Sequence, residues 1–260
     1  PVGSHESRDH WDKTGYALLV AVMLHVLYAE DNKSLAGCAE FLSHPQRTIG
    51  ETLELMLKTK HLVGGDGRGR VHPYVARGAR AMKNKSENER SGVLSTTLTL
   101  LEVFSDPIIA DLTSTSDWGV MDLVEAARPV SLYLVVPPSD ISRTRPLMRL
   151  ILNQVGRRLT ERLPDSGRRK VLLMLDEFPA LGRLDFFETA LAFLAGYGIR
   201  AFLIGQSLNQ IEKAYGANNA ILDNCHVRVA FATNDERTAK RISEALGAKT
   251  ELRSQNGLPH

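Results

Sequence analysis

The chain has 260 residues, is 43% apolar and 24% charged, and carries a net charge of only +2. This is near the globular average, with room for one large domain or two of ordinary size around a real core, and the net charge alone does not call for a nucleic-acid partner. Two cysteines, Cys38 and Cys225, lie far apart without metal-ligand spacing, which excludes a cysteine-based metal site and fits a reducing cytoplasm.

Residues 1–13 read as an extended lead-in without a signal-peptide pattern. The most hydrophobic run, Tyr16 to Ala29, has 14 residues and includes His25. It is too short to span a bilayer and predicts a buried helix over Thr14–Glu30, with His25 a hydrogen-bonded core histidine rather than a ligand. Ser34 N-caps a short helix that Pro45 stops. Thr48–Thr59 predicts another helix, with Ile49, Leu53, Met56 and Leu57 on one face. The run Gly64–Gly69 lacks the Gly-Lys-Ser/Thr ending of a phosphate loop and follows no strand, so it reads as a flexible connector. Helices follow from His72-Pro73 to about Lys85 and from Ser91 to Ser105, then a short apolar piece, Ile108–Leu112. Helices without strands point to an all-α module.

From Trp118 the pattern changes. A brief helix over Met121–Ala127 leads to an apolar strand, Val130–Val136, closed by Pro137-Pro138. Pro146–Leu163 predicts a long helix with Met148, Ile151, Leu152, Val155 and Leu159 facing inward. Val171–Leu175 reads as a strand buried on both faces of a parallel sheet, and it runs into the adjacent acids Asp176 and Glu177. Asp185–Glu188 resembles a capping box opening a helix over Phe186–Ala195, and Gly198–Gly205 is the next strand. Short helices over Asn209–Tyr215 and Asn218–Asp223, a strand over His226–Ala232 and a helix over Glu236–Leu246 complete the alternation of a mostly parallel α/β sheet.

Strand, helix and strand in this order form a right-handed unit that brings Gln206 to the same sheet edge as Asp176 and Glu177. Ligands bind at that edge in open α/β sheets. The acids then fit a Walker-B element: Asp176 holds Mg²⁺, Glu177 polarises the attacking water, and Gln206 senses the γ-phosphate. An ordinary acidic turn and a satisfied loop glutamine are the alternatives. Two basic stretches accompany these features. Lys58 to Arg90 carries nine Lys and Arg against three acids, and Ile141 to Lys170 carries nine against two. A solvated face is the common explanation, a DNA-tracking surface the sharper one. In the second stretch Arg149, Arg157, Arg158 and Arg162 lie off the apolar stripe.

The runs Lys85–Ser95, Ser131–Asp140 (SLYLVVPPSD), Leu173–Asp185 (LMLDEFPALGRLD), Gln206–Ile211 and Asp223–Arg228 resemble the TraG/TraD-like coupling-protein ATPases of conjugation and type IV secretion. The resemblance covers nearly the whole chain. It implies a membrane-anchored, RecA-like, ring-forming ATPase at the cytoplasmic face of the bacterial inner membrane. Such a protein uses ATP and Mg²⁺ to hand a relaxase–DNA complex to a secretion channel, and works as a homo-hexamer on single-stranded DNA. Asp176 and Glu177 then fall on the family's Walker-B pair and Gln206 on its motif glutamine, with residues 1–117 as the inserted all-α domain and 118–260 as part of the nucleotide-binding domain. The family's P-loop and transmembrane anchor precede the all-α domain, and neither pattern occurs in these residues. Residues 253–260 also stop short of the usual sheet completion, as in a fragment or truncated gene product. Arg200, Arg228 and Arg237 are the candidates for an arginine finger. A non-enzymatic module docking DNA or the relaxosome, and a RecA-like translocase outside secretion, are the alternatives.

Overall fold

The computed structural model describes residues 10–165 and 167–247; the lead-in before His10 and the segment after Gly247 lie outside them. The chain divides into two compact units, residues 1–119 with 142–147, and residues 120–141 with 148–260.

The first unit is helical around one core. Its helices are α1 (His10–Ala29), α2 (Leu35–Leu42), α3 (Ile49–Lys58), α4 (Pro73–Lys83), α5 (Glu87–Leu101) and α6 (Pro107–Leu112). The starts of α2 to α5 have local chemical causes. Ser34 Oγ accepts the Gly37 N–H, Thr48 and Glu51 form a reciprocal capping box, Pro73 occupies the first turn of α4, and Ser86 caps α5. Helix α1 packs against α2, α4 and α5, which is why its sequence is apolar on several sides. Leu18, Val22 and Val26 of α1 are buried together with Leu53, Met56, Val75 and Val93. The crossing of α1 and α4 is close: a Cβ on Gly78 would stand 2.5 Å from the Ala21 methyl carbon. Truncating Leu53 to Ala in such a core costs about 2–5 kcal/mol.

The glycine run is no connector. It is the loop of a small antiparallel hairpin, β1 (Leu62–Val63) and β2 (Gly69–Arg70), closed by the Gly64 N–H on the Arg68 carbonyl at 2.8 Å. Gly67, at φ 73°, takes the left-handed position that the turn requires. The expectation that no strand precedes the run fails, because Leu62–Val63 becomes a strand only by pairing with β2 in the register Leu62↔Arg70.

The hairpin places His61 against α1. His25 Nδ1 lies 2.8 Å from His61 Nε2, His25 Nε2 lies 3.2 Å from Glu30 Oε1, and the His72 N–H reaches His61 Nδ1 at 3.2 Å. The His72 N–H can only donate, so His61 Nδ1 accepts and its proton sits on Nε2. That proton goes to His25 Nδ1, and His25 Nε2–H donates to Glu30. Both rings are buried, and His25 also packs on Phe41 with centroids 4.5 Å apart. One proton direction thus links α1, the hairpin and the start of α4.

The second unit holds α7 (Asp122–Glu125), the rest of α8 (Ile141–Leu159), β3 (Val171–Leu175), α9 (Asp185–Ala190), β4 (Ile199–Leu203), α10 (Leu208–Tyr215) and α11 (Glu236–Leu246). Strands β3 and β4 pair in parallel, from Val171↔Ile199 to Leu175↔Leu203. Leu152, Val155 and Leu159 of α8 are buried, as their spacing predicts, although the helix begins five residues before Pro146 and includes it.

Several expectations fail here. Strand β3 is buried on one face only: Leu173 and Leu175 point inward, while Leu172 and Met174 are exposed. Residues 130–136 and 226–232 join no ladder among the described residues. In the first of these the side chains still alternate, with Leu132, Leu134 and Val136 half-buried and Tyr133 and Val135 exposed. An apolar alternating run has the propensity for a strand, but the strand exists only when a neighbouring edge takes its N–H and C=O groups. The capping box at Asp185 does not form, because Arg183 Nε holds that carboxylate at 2.9 Å and Leu184 is the N-cap. Residues 218–223 are turns rather than a helix.

The relay has a pH signature. Burial lowers the pKa of His25 and of His61 below 6.5, with Glu30 opposing at His25 and the other imidazoles reinforcing at His61. The unfolded chain therefore binds more protons below pH 6.5, so stability is complete above that value and is lost as pH falls towards the lowered folded pKa values. Urea midpoints for the helical unit should drop between about pH 7.5 and about pH 5, and His61→Ala, which strands His25 Nδ1 and the His72 N–H, should cost about 1–3 kcal/mol at neutral pH. A midpoint independent of pH sinks the neutral-relay assignment.

Candidate active site

The parallel register brings the carboxyl ends of β3 and β4 level. The Ile204 N–H donates to the Leu175 carbonyl at 3.1 Å, and the Phe178 N–H donates to the Ile204 carbonyl at 2.9 Å. Between these two bonds the chain must leave the strand, pass Asp176 and Glu177, and turn back. Glu177 makes the turn in the left-handed region, at φ 50° and ψ 44°, the one non-glycine residue with positive φ among the described residues. That conformation costs a non-glycine residue roughly 1–2 kcal/mol, so it persists only where its surroundings hold it.

The three predicted site residues meet at this turn as a pair and a neighbour. Gln206 Nε2–H donates to Glu177 Oε1 at 2.9 Å. The backbone of Gln206 is itself fixed, its N–H donating to Gln210 Oε1 at 3.0 Å in the first turn of α10. Ser207 caps that helix. Asp176, next in the chain, is exposed at the end of β3. Glu177 is half-buried, so its second oxygen can face a ligand while the first is held.

Behind the turn the packing is dense. Phe178 and Tyr215 are both buried and stack with centroids 5.3 Å apart and planes at 20°. The Tyr215 hydroxyl accepts the Leu184 N–H at 3.2 Å. Arg183 binds both Asp185 and Glu188 at 2.9 Å. No sequence signal marked Tyr215 or Arg183, because aromatic and basic residues at those spacings are common in any helix or loop.

None of the candidate arginines stands at the acids. Arg228 donates to the Leu222 and Cys225 carbonyls, Arg237 pairs with Glu212 at 2.7 Å, and Arg200 sits near the amino end of β4, away from the acids. The arginines of α8 are not uniformly free of packing either. Arg157 lies over the Phe186 ring at 5.3 Å, Arg149 Nη1 reaches the Leu181 carbonyl at 3.4 Å, and Arg158 pairs with Glu161. Long guanidinium stems lie on apolar surface even where the charge faces water.

Among the described residues no three His, Cys, Asp or Glu side chains converge as a metal cage. A cavity of 440 Å³ in the first unit, lined by Thr99, Glu102, Asp106 and Arg143 among others, includes none of the three residues. The donor set at the turn fits Mg²⁺, which takes one or two carboxylates, keeps several waters and gets its remaining ligands from phosphates.

Two adjacent acids and an amide at the carboxyl edge of a parallel strand–helix–strand unit define an α/β protein of the class that binds ligands at that edge. The comparisons with known proteins then give the family. The pattern of the type IV secretory system conjugative DNA transfer family matches residues 2–256, and the chain belongs to that family. It is 38% identical over 260 residues to a conjugal transfer protein TraG of Escherichia coli, covering 95% of this chain and 40% of TraG. A protein VirD4 of Agrobacterium fabrum is 40% identical over 154 residues, 58% of this chain and 23% of VirD4. The chain thus spans well under half the length of these relatives. Among solved structures, the plasmid coupling protein TrwB in complex with the non-hydrolysable GTP analogue GDPNP is similar in fold, with a TM-score of 0.69 at 18% identity over 95% of this chain and 55% of TrwB. TrwB in complex with ADP and Mg²⁺ matches at a TM-score of 0.56 and 18% identity, covering 85% of this chain and 47% of TrwB. Family membership sets aside the reading of a translocase outside secretion. No helix among the described residues is long and apolar enough to cross a membrane.

The strained turn makes a stability prediction. Glycine adopts the Glu177 backbone without penalty and a β-branched residue does not, so Glu177→Gly should be more stable than Glu177→Val by about 1–2 kcal/mol. Equal thermal midpoints for the two would show that the turn relaxes out of the left-handed region.

Proposed function

We propose that the chain is part of a coupling ATPase that uses ATP hydrolysis to deliver relaxase-bound DNA to a type IV secretion channel. The observation that carries the reading is the Gln206–Glu177 hydrogen bond at the carboxyl edge of β3 and β4, in a chain of the conjugative DNA transfer family. In this reading residues 118–260 belong to a RecA-like nucleotide-binding domain and residues 1–117 to the all-α domain set into it. The intact protein works as a membrane-anchored homo-hexamer on single-stranded DNA, together with relaxosome and channel proteins.

The chain's own groups divide the chemistry. Asp176, exposed at the strand end, would hold Mg²⁺, which when bound neutralises phosphate charge. Glu177 orients the attacking water and accepts its proton. Gln206 fixes the Glu177 carboxylate through Oε1, leaving the other oxygen for water, and through that bond would sense the γ-phosphate. TrwB has been solved with ADPNP and with ADP and Mg²⁺, which supports ATP and Mg²⁺ as the cofactors here.

Most of the catalysis in phosphoryl transfer comes from positioning the phosphates. The 260 residues contain no phosphate-loop pattern, so this chain alone should hydrolyse Mg-ATP little above buffer. In the intact protein Glu177→Gln should keep nucleotide affinity and lose hydrolysis by about a hundredfold or more, while Asp176→Ala should weaken the Mg²⁺-dependent part of binding. Wild-type turnover by both variants removes the Walker-B assignment and leaves a docking module as the reading.

A further inference from the structure

We infer that Tyr215 is a positioning residue for Glu177, holding the left-handed turn through Phe178 while the same helix presents Gln206 to the carboxylate. The inference rests on Glu177 being the water-orienting acid. Three observations carry it. First, the backbone of Glu177 stands at φ 50°, which a glutamate leaves unless something downstream prevents it. Second, what lies immediately downstream is Phe178, whose N–H is tied to Ile204 and whose ring, only 1% exposed, is stacked on Tyr215. A rotation of Glu177 out of the left-handed region would swing Phe178 out of that stack. Third, the Tyr215 hydroxyl accepts the Leu184 N–H, so one side chain grips both ends of the segment 178–184 that follows the acids.

The geometry of α10 adds a coupling. The helix runs only from Leu208 to Tyr215, so Gln206 lies just before its first turn and Tyr215 at its last residue. Gln206, just before its amino end, bonds the Glu177 carboxylate, and Tyr215 at its carboxyl end stacks on Phe178, the next residue of the turn. A short helix anchored in this way at both ends holds the carboxylate and its partner amide as a unit. Loss of the stack should misplace the water-orienting oxygen without removing any group that binds nucleotide.

The ring and the hydroxyl can be separated. Tyr215→Phe keeps the stack and removes the acceptor for the Leu184 N–H. Tyr215→Leu removes both, with Tyr215→Met as the volume-filling variant should leucine not fold. Amide hydrogen exchange on the 260-residue chain reads the turn directly: Tyr215→Phe should accelerate Leu184 alone, by about tenfold, whereas Tyr215→Leu or Tyr215→Met should also accelerate Phe178. In the intact protein Tyr215→Leu or Tyr215→Met should lower kcat by about tenfold or more with KM for ATP within about threefold, and Tyr215→Phe should restore most of kcat. A residue that only fills the core would instead lower the melting temperature and leave kcat per nucleotide-binding molecule unchanged. That result, or a Phe178 amide that exchanges as in wild type, overturns the inference. Glu177→Gln run alongside separates the two claims. If it hydrolyses ATP normally, the role of Glu177 is wrong. If it is inactive while Tyr215→Leu and Tyr215→Met are fully active, only the positioning role is wrong.

Discussion

The parallel pairing of β3 with β4 is the constraint on which the site depends. Five residues in register put the Leu175 carbonyl within reach of the Ile204 N–H, and the Ile204 carbonyl within reach of the Phe178 N–H. These two bonds leave Asp176 and Glu177 a fixed distance to cover, and the left-handed turn at Glu177 is how the chain covers it. The same pairing brings the start of α10 beside the acids. A shift of one residue in register would turn every side chain of β4 to the opposite face and carry Gln206 away from Glu177. The site is therefore a property of strand pairing before it is a property of any side chain.

Strain at the turn is offset by what lies behind it rather than by the acids. The Phe178–Tyr215 stack contributes about 0.5–1.5 kcal/mol beyond the area it buries. The hydroxyl bond to Leu184 contributes about 0.5–1.5 kcal/mol more. Together these match the cost of a left-handed glutamate. The polar face of the turn is thereby left open to solvent and ligand, while the apolar face supplies the rigidity.

The helical unit solves a different problem with a similar device. Helix α1 is apolar on nearly every side, so its neighbours are specified by shape and by one polar relay. Gly78 lets α4 approach Ala21 closely, and the His25–His61–Glu30 relay ties α1 to the hairpin and to the start of α4. A buried imidazole pair is tolerated because each donor has an acceptor in a single direction, starting from a backbone N–H that cannot reverse.

The sequence by itself determined the local elements whose causes are local. Ser34, Thr48 and His72-Pro73 mark helix starts, with Ser34, Thr48 and His72 side chains bonding their own first turns, and all three stand where the structure starts those helices. The five apolar residues before Asp176 mark a strand, and the order strand–helix–strand already implied that Asp176, Glu177 and Gln206 share an edge. The family was legible too, because its motifs are strings of residues. The tertiary structure alone decided what depends on a partner. Residues 130–136 and 226–232 carry strand composition but join no ladder among the described residues, and the glycine run became a hairpin once Gly64 found Arg68. Arg183, rather than the helix end, took the Asp185 carboxylate. Tyr215 acquired its place behind Glu177 from a stack on Phe178, far away in the chain. Hydrogen-bond partners and ring stacks between distant residues leave no periodicity in the chain, so only the fold could place them.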